Sequence, residues 1–349
     1  MGIDNNIYLD FNDVLIKPKR SNLGSRSEVI LERTINFIHS KQSWTGIPLM
    51  AANMDTTGTF EIYDVLSKHK MITVFHKHYD VLEYKNRMDT LNREYYSLSS
   101  GTSDSDYLKL QELITILNPK FVTIDVANGY SSAFIEFCKK VRGEYPTLTI
   151  FAGNIATSDM VQELILSAQV DVVKCGIGSG SVCSTRLKSG IGVPQLSVCM
   201  SCSEVANGLN GHIISDGGCT IPGDIAKAFG SGAHFVMLGG MIAGHTETLG
   251  DIITDENGKE YKLFYGMSSE HAQDKYNGGL QQYRSSEGKL RKIPFKGELN
   301  TTLIDILGGL RSAGTYIGAN RLKDFPKCCT FLQVNRQVNT VYDNKDYLV

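Results

Sequence analysis

The sequence predicts an α/β chain built as one (β/α)8 TIM barrel, and three observations point there. Eight short apolar or β-rich runs fall at 47–53, 71–76, 95–100, 121–127, 149–153, 170–176, 212–216 and 235–239. Helix-like segments separate most of them, with apolar residues spaced i, i+3, i+4, i+7: Leu110, Leu113, Ile114 and Leu117; Phe134, Phe137, Cys138 and Val141; Val161, Leu164, Ile165 and Ala168. Chemically capable residues gather just after the runs: Asn53-Met54-Asp55, His76-Lys77-His78, Asp125, Asn128-Gly129, Gly153-Asn154, Asp216-Gly217-Gly218 and Gly239-Gly240. Runs that are apolar on both faces suit parallel strands covered by helices. A barrel places all eight strand ends around one mouth. The alternative, an open doubly wound sheet, has a single crevice and would leave most of these residues apart.

In chain order, residues 1–46 show no repeat and read as an arm or cap, with a basic Lys17-Pro18-Lys19-Arg20. The barrel is expected over 47–325. Thr157-Ser158-Asp159 offers cap candidates for the helix that follows. Paired glycines after strands seven and eight stand where barrels bind phosphate through backbone N–H groups; ordinary turn chemistry is the alternative. Residues 241–298 break the strand–helix rhythm and are expected to form a lid over the mouth, or else a solvated loop. A helix from Thr301 to Leu310 and glycines 308, 309, 314 and 318 close the barrel, and 326–349 reads as a frayed C-terminal tail.

Bulk properties narrow the function classes. The 349 residues carry a net charge of −2, and no basic run stands out beyond the short Lys17–Arg20 stretch, so no nucleic-acid partner is expected. The longest apolar stretch, Phe235 to Gly244, is too short to span a bilayer, and no signal pattern opens the chain; a cytoplasmic protein with no membrane contact is expected. Eight scattered cysteines suggest reduced thiols, and Cys199-x-x-Cys202 lacks the second pair a zinc site needs.

The stretch Gly176-Ile177-Gly178-Ser179-Gly180-Ser181-Val182-Cys183-Ser184-Thr185-Arg186 carries the chemistry. Alternating glycines let the backbone come close to a ligand. They deliver a thiol, hydroxyls and a cation to one strand end, as covalent catalysis requires. A Rossmann phosphate loop would need glycine at 181, which is serine. Cys183 could also be a small buried apolar residue. Backbone N–H groups and Arg186 are candidates to lower the Cys183 pKa.

This loop resembles that of the inosine monophosphate dehydrogenase/GMP reductase superfamily. Met50-Ala51-Ala52-Asn53-Met54-Asp55, Ile124-Asp125-Val126-Ala127-Asn128-Gly129, Ala152-Gly153-Asn154, Ser215-Asp216-Gly217-Gly218 and Met237-Leu238-Gly239-Gly240 fit the same pattern in order. The link from His76 to Tyr95 is too short for the regulatory insert usual in the dehydrogenases. Phe264-Tyr265-Gly266-Met267-Ser268-Ser269-Glu270, Tyr283-Arg284-Ser285-Ser286-Glu287-Gly288-Lys289 and Asp305-Ile306-Leu307-Gly308-Gly309-Leu310-Arg311-Ser312 look like the reductase branch.

The resemblance implies NADPH-dependent reductive deamination of GMP to IMP, with ammonia released. The alternatives are IMP oxidation to XMP with NAD+ and, in another class, a non-catalytic nucleotide sensor. It implies Cys183 as the nucleophile that forms a thioimidate at purine C2, with Thr185 and Glu287 handling protons; without it, Glu287 would read as a surface carboxylate. It implies that Asp216, Gly217, Gly218, Gly239 and Gly240 bind phosphate and ribose, and that Gly266, Met267, Ser268, Arg284, Ser285, Ser286, Glu287 and Gly288 face the base. Lys77, Asp125, Val126, Ala127, Ile177, Gly178, Met267, Tyr283 and Arg284 match dinucleotide contacts, with Lys77 and Asp125 a candidate pair for the cofactor amide. Ser25, Arg26, Ser312, Ala313, Gly314 and Thr315 match contacts to a cofactor held by a neighbouring subunit of a homotetramer. Carbonyls of Gly178, Gly180, Cys183 and Arg186 match a potassium ion site. Ser179 stands where the family usually has proline, so a looser loop is expected; Ser184 keeps the hydroxyl of a common threonine. Ala313 and Gly314 are smaller than usual, which weakens the expected adenosine-end contacts.

Overall fold

The computed structural model describes residues 2–279 and 285–335. Eight parallel strands close into a barrel: β1 Leu49–Ala51, β2 Ile72–Phe75, β3 Tyr96–Ser100, β4 Phe121–Asp125, β5 Thr149–Ile155, β6 Val172–Cys175, β7 His212–Asp216 and β8 Phe235–Leu238, with β8 pairing back onto β1. Each falls within or across one of the eight apolar runs. The connecting helices are α1 Phe60–Leu66, α2 Val81–Arg87, α3 Asp104–Leu117, α4 Ser132–Glu144, α5 Ser158–Leu166, α6 Thr185–Ser189, α7 Gln195–Gly208 and α8 Pro222–Gly230. The apolar stripe on α4 is fully turned inward, and on α3 Leu110 and Leu113 are buried. No helix among the described residues is long and apolar enough to cross a membrane.

The barrel interior is a packed core. Met50, Ile72, Val74, Phe121, Phe151, Val172, Ile214, Phe235 and Met237 form one cluster with Ile35, Phe37 and Trp44 from the arm. Those three aromatic and aliphatic residues come from an antiparallel hairpin, Arg33–Asn36 with Ser43–Gly46, which plugs the barrel. Trp44 is 1% exposed, stacks obliquely on Phe235 and donates its indole N–H to the Glu94 carbonyl at 2.8 Å. Burying so large a ring with its N–H satisfied contributes several kcal/mol.

The insertion after β8 is folded and is not a merely solvated loop: Ile253–Thr254, Glu260–Tyr265 and Leu290–Pro294 form a three-stranded antiparallel sheet, with helix α9 Glu270–Asn277 between the second and third strands. The tail is not frayed at its start: after α11 Phe325–Cys328, Phe331–Gln333 pairs with Val14–Ile16 of the arm. Residues 336–349 of that tail lie outside the described residues. The closing helix α10, Leu299–Ile317, also runs straight through glycines 308, 309 and 314 and ends at Gly318, whose φ of +72° suits a helix stop. A Cβ on Gly309 would lie 2.8 Å from Pro222, and one on Gly314 2.7 Å from Val29. Those glycines let α10 approach α8 and the arm closely.

Candidate functional site

The loop after β6 delivers Cys183 to the mouth of the barrel, half-buried and free. Gly178 holds a φ of +81° and would drive a Cβ into the Arg186 side chain at 2.6 Å, so the tight loop requires glycine there. The Cys183 thiol donates to Thr185 Oγ1 at 3.2 Å, and Thr185 donates to Glu287 Oε2 at 2.7 Å. Glu287 comes from the insertion, 102 residues further along the chain. Backbone bonds fix that approach: Ser184 N–H donates to the Glu287 carbonyl at 2.8 Å, Lys289 N–H to the Val182 carbonyl at 2.8 Å, and Cys183 and Gly288 form an antiparallel bridge. The insertion therefore lies on the cysteine loop as an added edge strand.

The other described residues expected to face a base lie near this chain of hydrogen bonds. Gly266 and Gly288 pack so closely that a Cβ on either would meet the other's backbone at 3.0 Å. The Ser268 carbonyl accepts from Glu287 N–H, and Ser286 Oγ accepts from Glu270 N–H at the start of α9. Ser285 is exposed beside them. Tyr283 and Arg284 lie outside the described residues.

A cluster of hydrogen bonds ties the insertion to the barrel. Asp55, fully buried just after β1, accepts on Oδ2 from Tyr265 Oη at 2.6 Å, Tyr276 Oη at 2.7 Å and Lys275 Nζ at 2.9 Å. Burial would raise the Asp55 pKa, but these donors outweigh it and hold the carboxyl below its ordinary value. The Tyr276 ring also stacks on His78 at 3.6 Å. His76 and His78 are both pushed down to about 4, chiefly by burial, so neither carries charge at neutral pH.

On the opposite side of the loop, Gly217 has φ +92° and would place a Cβ 2.7 Å from Ser179 Oγ; a Cβ on Gly240 would lie 2.6 Å from Ser181 Oγ. Gly239 faces Met54 and Phe264. The glycines after β7 and β8 thus wall the cysteine loop. Gly218 N–H already donates to the Ser179 carbonyl at 2.9 Å, leaving Gly217, Gly239 and Gly240 as candidate amide donors to a phosphate. Ser179, where the family usually has proline, is tied by its side chain: its hydroxyl donates to Gln195 Oε1 at 2.8 Å and lies 3.2 Å from the Asp216 carbonyl.

Asp125, Lys77 and Met267 line one small cavity with Asn53, His78, Ser99 and Ser100. The proposed Lys77–Asp125 pair does not form. Lys77 pairs with Asp106 at 3.4 Å, while Asp125 pairs with Lys174 at 3.0 Å and accepts from Asn53 at 2.8 Å. Lys174 reaches Asp216 at 2.6 Å as well, so a buried ammonium joins the ends of β4, β6 and β7. Burial alone would lower the Lys174 pKa, but the two carboxylates raise it well above the ordinary value. Val126 and Ile177 pack at the rim of the outer core, and Ala127 follows Val126. Arg186 turns away from the thiol: it donates to Asp10 at 2.9 Å and to the Val193 carbonyl at 2.9 Å, bracing the loop against the arm. Ser25 and Arg26 open a short 3-10 turn that packs on α10, which carries Ser312, Ala313, Gly314 and Thr315; the two groups form one patch on the barrel flank.

The sequence missed Lys174, Gln195 and Asp10. A lysine inside an otherwise apolar strand was the available signal for the first. Gln195 donates to the Cys175 carbonyl at 2.9 Å and accepts from Ser179, and nothing local marks it. Among the described residues no cluster of three or more His, Cys, Asp or Glu could hold a metal ion. The carbonyls of Gly178, Gly180, Cys183 and Arg186 are a different, neutral donor set of the kind that suits a monovalent cation. Those of Gly180 and Arg186 each accept one turn hydrogen bond, from Cys183 N–H and Gly190 N–H, which leaves each a second lone pair.

A family model described as the IMP dehydrogenase / GMP reductase domain matches residues 8–340. The chain belongs to the IMP dehydrogenase/GMP reductase family. It is 54% identical to GMP reductase 2 of Homo sapiens over 345 residues, covering 97% of this chain and 98% of that protein. It is 53% identical to GMP reductase of Caenorhabditis elegans over 346 residues, 97% and 96% of the two chains. GMP reductase of Salmonella arizonae is 52% identical over 349 residues, 99% of this chain and all of the relative. Within the family's barrel, the thiol–hydroxyl–carboxylate chain built by Cys183, Thr185 and Glu287 spans the core loop and the insertion, so the two must fold together to complete it.

Proposed function

We propose that this chain is an NADPH-dependent GMP reductase, converting GMP to IMP and ammonia through a thioimidate on Cys183. The observation that carries the reading is the continuous hydrogen-bonded path from Cys183 through Thr185 to Glu287. A purine C2 amine cannot be displaced directly by hydride. The thiol must add first. Its proton passes through Thr185 to the Glu287 carboxylate, and the sulfur attacks C2. Glu287 returns that proton to the departing amine, which leaves as ammonia in place of the far poorer amide ion. Proton transfer of this kind is typically worth about 10²–10⁴ in rate. NADPH, when bound, supplies the hydride that reduces C2; the C–S bond then breaks and the thiolate takes a proton from solvent.

The residues fit such a cofactor. Asn53, Lys77, His78, Asp125 and Met267 bound a small cavity beside the insertion and bring polar groups to it, and the neutral His78 adds no competing charge there. Gly217, Gly239 and Gly240 would hold the GMP phosphate by backbone N–H groups. Carbonyls of Gly178, Gly180, Cys183 and Arg186 would hold potassium, which would stiffen the loop behind the thiol. The Ser25–Arg26 and Ser312–Thr315 patch would serve the cofactor of a neighbouring subunit in a homotetramer.

One assay tests the reading: nicotinamide absorbance with GMP plus NADPH against IMP plus NAD+. Oxidation of NADPH by GMP, with ammonia and IMP formed in equal amounts and weakened when potassium is replaced by a large organic cation, is expected. XMP formation from IMP with inert GMP would overturn it.

A further inference from the structure

A cavity lies away from the mouth, at the opposite end of the barrel. It measures about 540 Å³, within the size range of small-ligand sites, and sits between the arm hairpin and the start of β7. Arg33, Asn36 and Lys41 line it from the arm, and Asn207, Asn210 and His212 from the α7–β7 turn. No aspartate or glutamate is among its lining residues.

Arg33 is the unusual feature. Its Nε is buried without a hydrogen-bond partner, and no carboxylate lies within ion-pair reach of it among the described residues. Asp324 attracts it only at longer range, being paired with Arg321 at 2.7 Å. Burial pulls the Arg33 pKa down to about 10, so the guanidinium still carries its charge. A desolvated guanidinium with no counter-charge is costly unless an anion completes it. Lys41 adds a second cation at the rim and makes no ion pair among the described residues. His212 donates Nε2–H to the Asn36 carbonyl at 2.9 Å, which leaves Nδ1 as an acceptor, buried and unpartnered. At the cavity itself the exposed amides of Asn36 and Asn210 offer acceptor oxygens beside the two cations, so a monoprotonated phosphate finds partners for its anionic oxygens and for its one O–H donor; a carboxylate offers no donor.

The surrounding frame is rigid. Asp171, fully buried, accepts from the backbone N–H groups of His39 and Ser40 at 3.1 and 3.0 Å and from Arg142 at 2.6 Å, fixing the hairpin turn beside the cavity. The Phe37 ring meets His212 edge-on at 5.9 Å. Two cations beside an acid-free cavity, on a backbone turn fixed by Asp171, favour an anion there.

We propose that this cavity is a phosphate-binding site, separate from the nucleotide site at the mouth, with Arg33 as its main ligand. The phosphate group could be free or borne by a small sugar phosphate. The test is calorimetric titration of the full-length protein with inorganic phosphate, ribose 5-phosphate or succinate at constant ionic strength, with excess IMP present. Wild type should bind phosphate and not succinate. Arg33→Gln should weaken phosphate binding about tenfold or more, and Lys41→Gln, at an exposed position, about threefold. Neither change should alter GMP turnover in phosphate-free buffer. Tighter binding of ribose 5-phosphate than of inorganic phosphate would identify the sugar phosphate as the source, and the reverse the free ion. Equal phosphate affinity in wild type and both variants, or succinate binding as well as phosphate, would overturn the assignment.

Discussion

The two ends of the same eight strands have opposite characters. At one end Ile35, Phe37 and Trp44 close the barrel with buried rings against Phe121, Phe151 and Phe235. At the other, Asp55, Asp125, Lys174, Asp216 and the Cys183 loop meet in a polar network bridged by an inserted sheet. Folding energy comes mainly from the apolar end, whereas the mouth holds charged groups whose desolvation has to be offset pair by pair. Stability and chemistry should therefore be separable by mutation, which is the general expectation for such barrels.

The sharpest separation is at Cys183. Cys183→Ala should abolish GMP-dependent NADPH oxidation while leaving the thermal midpoint within about 2 °C, because the thiol is half-buried and fills no core space. Near-normal turnover would end the covalent scheme. Next in size is Glu287→Gln. The amide keeps the shape and can still accept from Thr185, but it cannot take or return a proton. Ammonia release should slow by about 10²–10⁴, and hydride transfer measured from IMP and NADP+ should slow less. Equal losses in both half-reactions would remove the proton-relay role.

The plug supplies the mirror experiment. Trp44→Ala should cost about 3–5 kcal/mol of stability, read by urea unfolding. Turnover per folded molecule should stay unchanged below the transition. A large fall in that turnover would mean that the two ends are coupled through the barrel interior.

Much of this contrast is legible in sequence, and what is not has a physical reason. The eight strands are readable because both of their faces are largely buried, so most are short, mainly apolar runs. Met50-Ala51, Val172-Val173 and Phe235-Val236 show this plainly. The insertion's strands are not, because Glu260–Tyr265 and Leu290–Pro294 are partly solvated and mix charged with apolar residues. Phe331–Gln333 becomes a strand only because Val14–Ile16 offers an edge more than 300 residues away, and no local pattern reports a partner so distant. Cys183 and Thr185 stand out within one loop, but their contact with Glu287 could be anticipated only from the family resemblance. Lys174 stands out as a lysine in an otherwise apolar strand, but its two carboxylate partners lie on other strands and no local pattern names them. The pairing of Arg186 with Asp10 likewise reverses a local inference: adjacency in sequence suggested a cation beside the thiol, and the side chain points to the arm instead.

The smallest effect is expected at the lid latch, and it tests whether the mouth is held shut or merely covered. Asp55→Asn removes the charge that Lys275 pairs with but keeps an oxygen for the two tyrosines. Lys275 is partly exposed, so water compensates for much of the lost pairing and the stability loss should be about 1 kcal/mol. Function should report it more clearly. If α9 must be pinned for Glu287 to reach Thr185, the KM for GMP should rise several-fold and amide exchange in Glu270–Asn277 should quicken, with Trp44-side exchange unchanged. The pH dependence has a definite sign. Because the folded-state pKa of Asp55 is held below its ordinary 3.8, the latch contributes fully above that value and is lost only as pH falls through the depressed one. The wild-type lid should therefore stay closed across the neutral range, and accelerated α9 exchange in wild type at pH 6 would show that something other than Asp55 governs it.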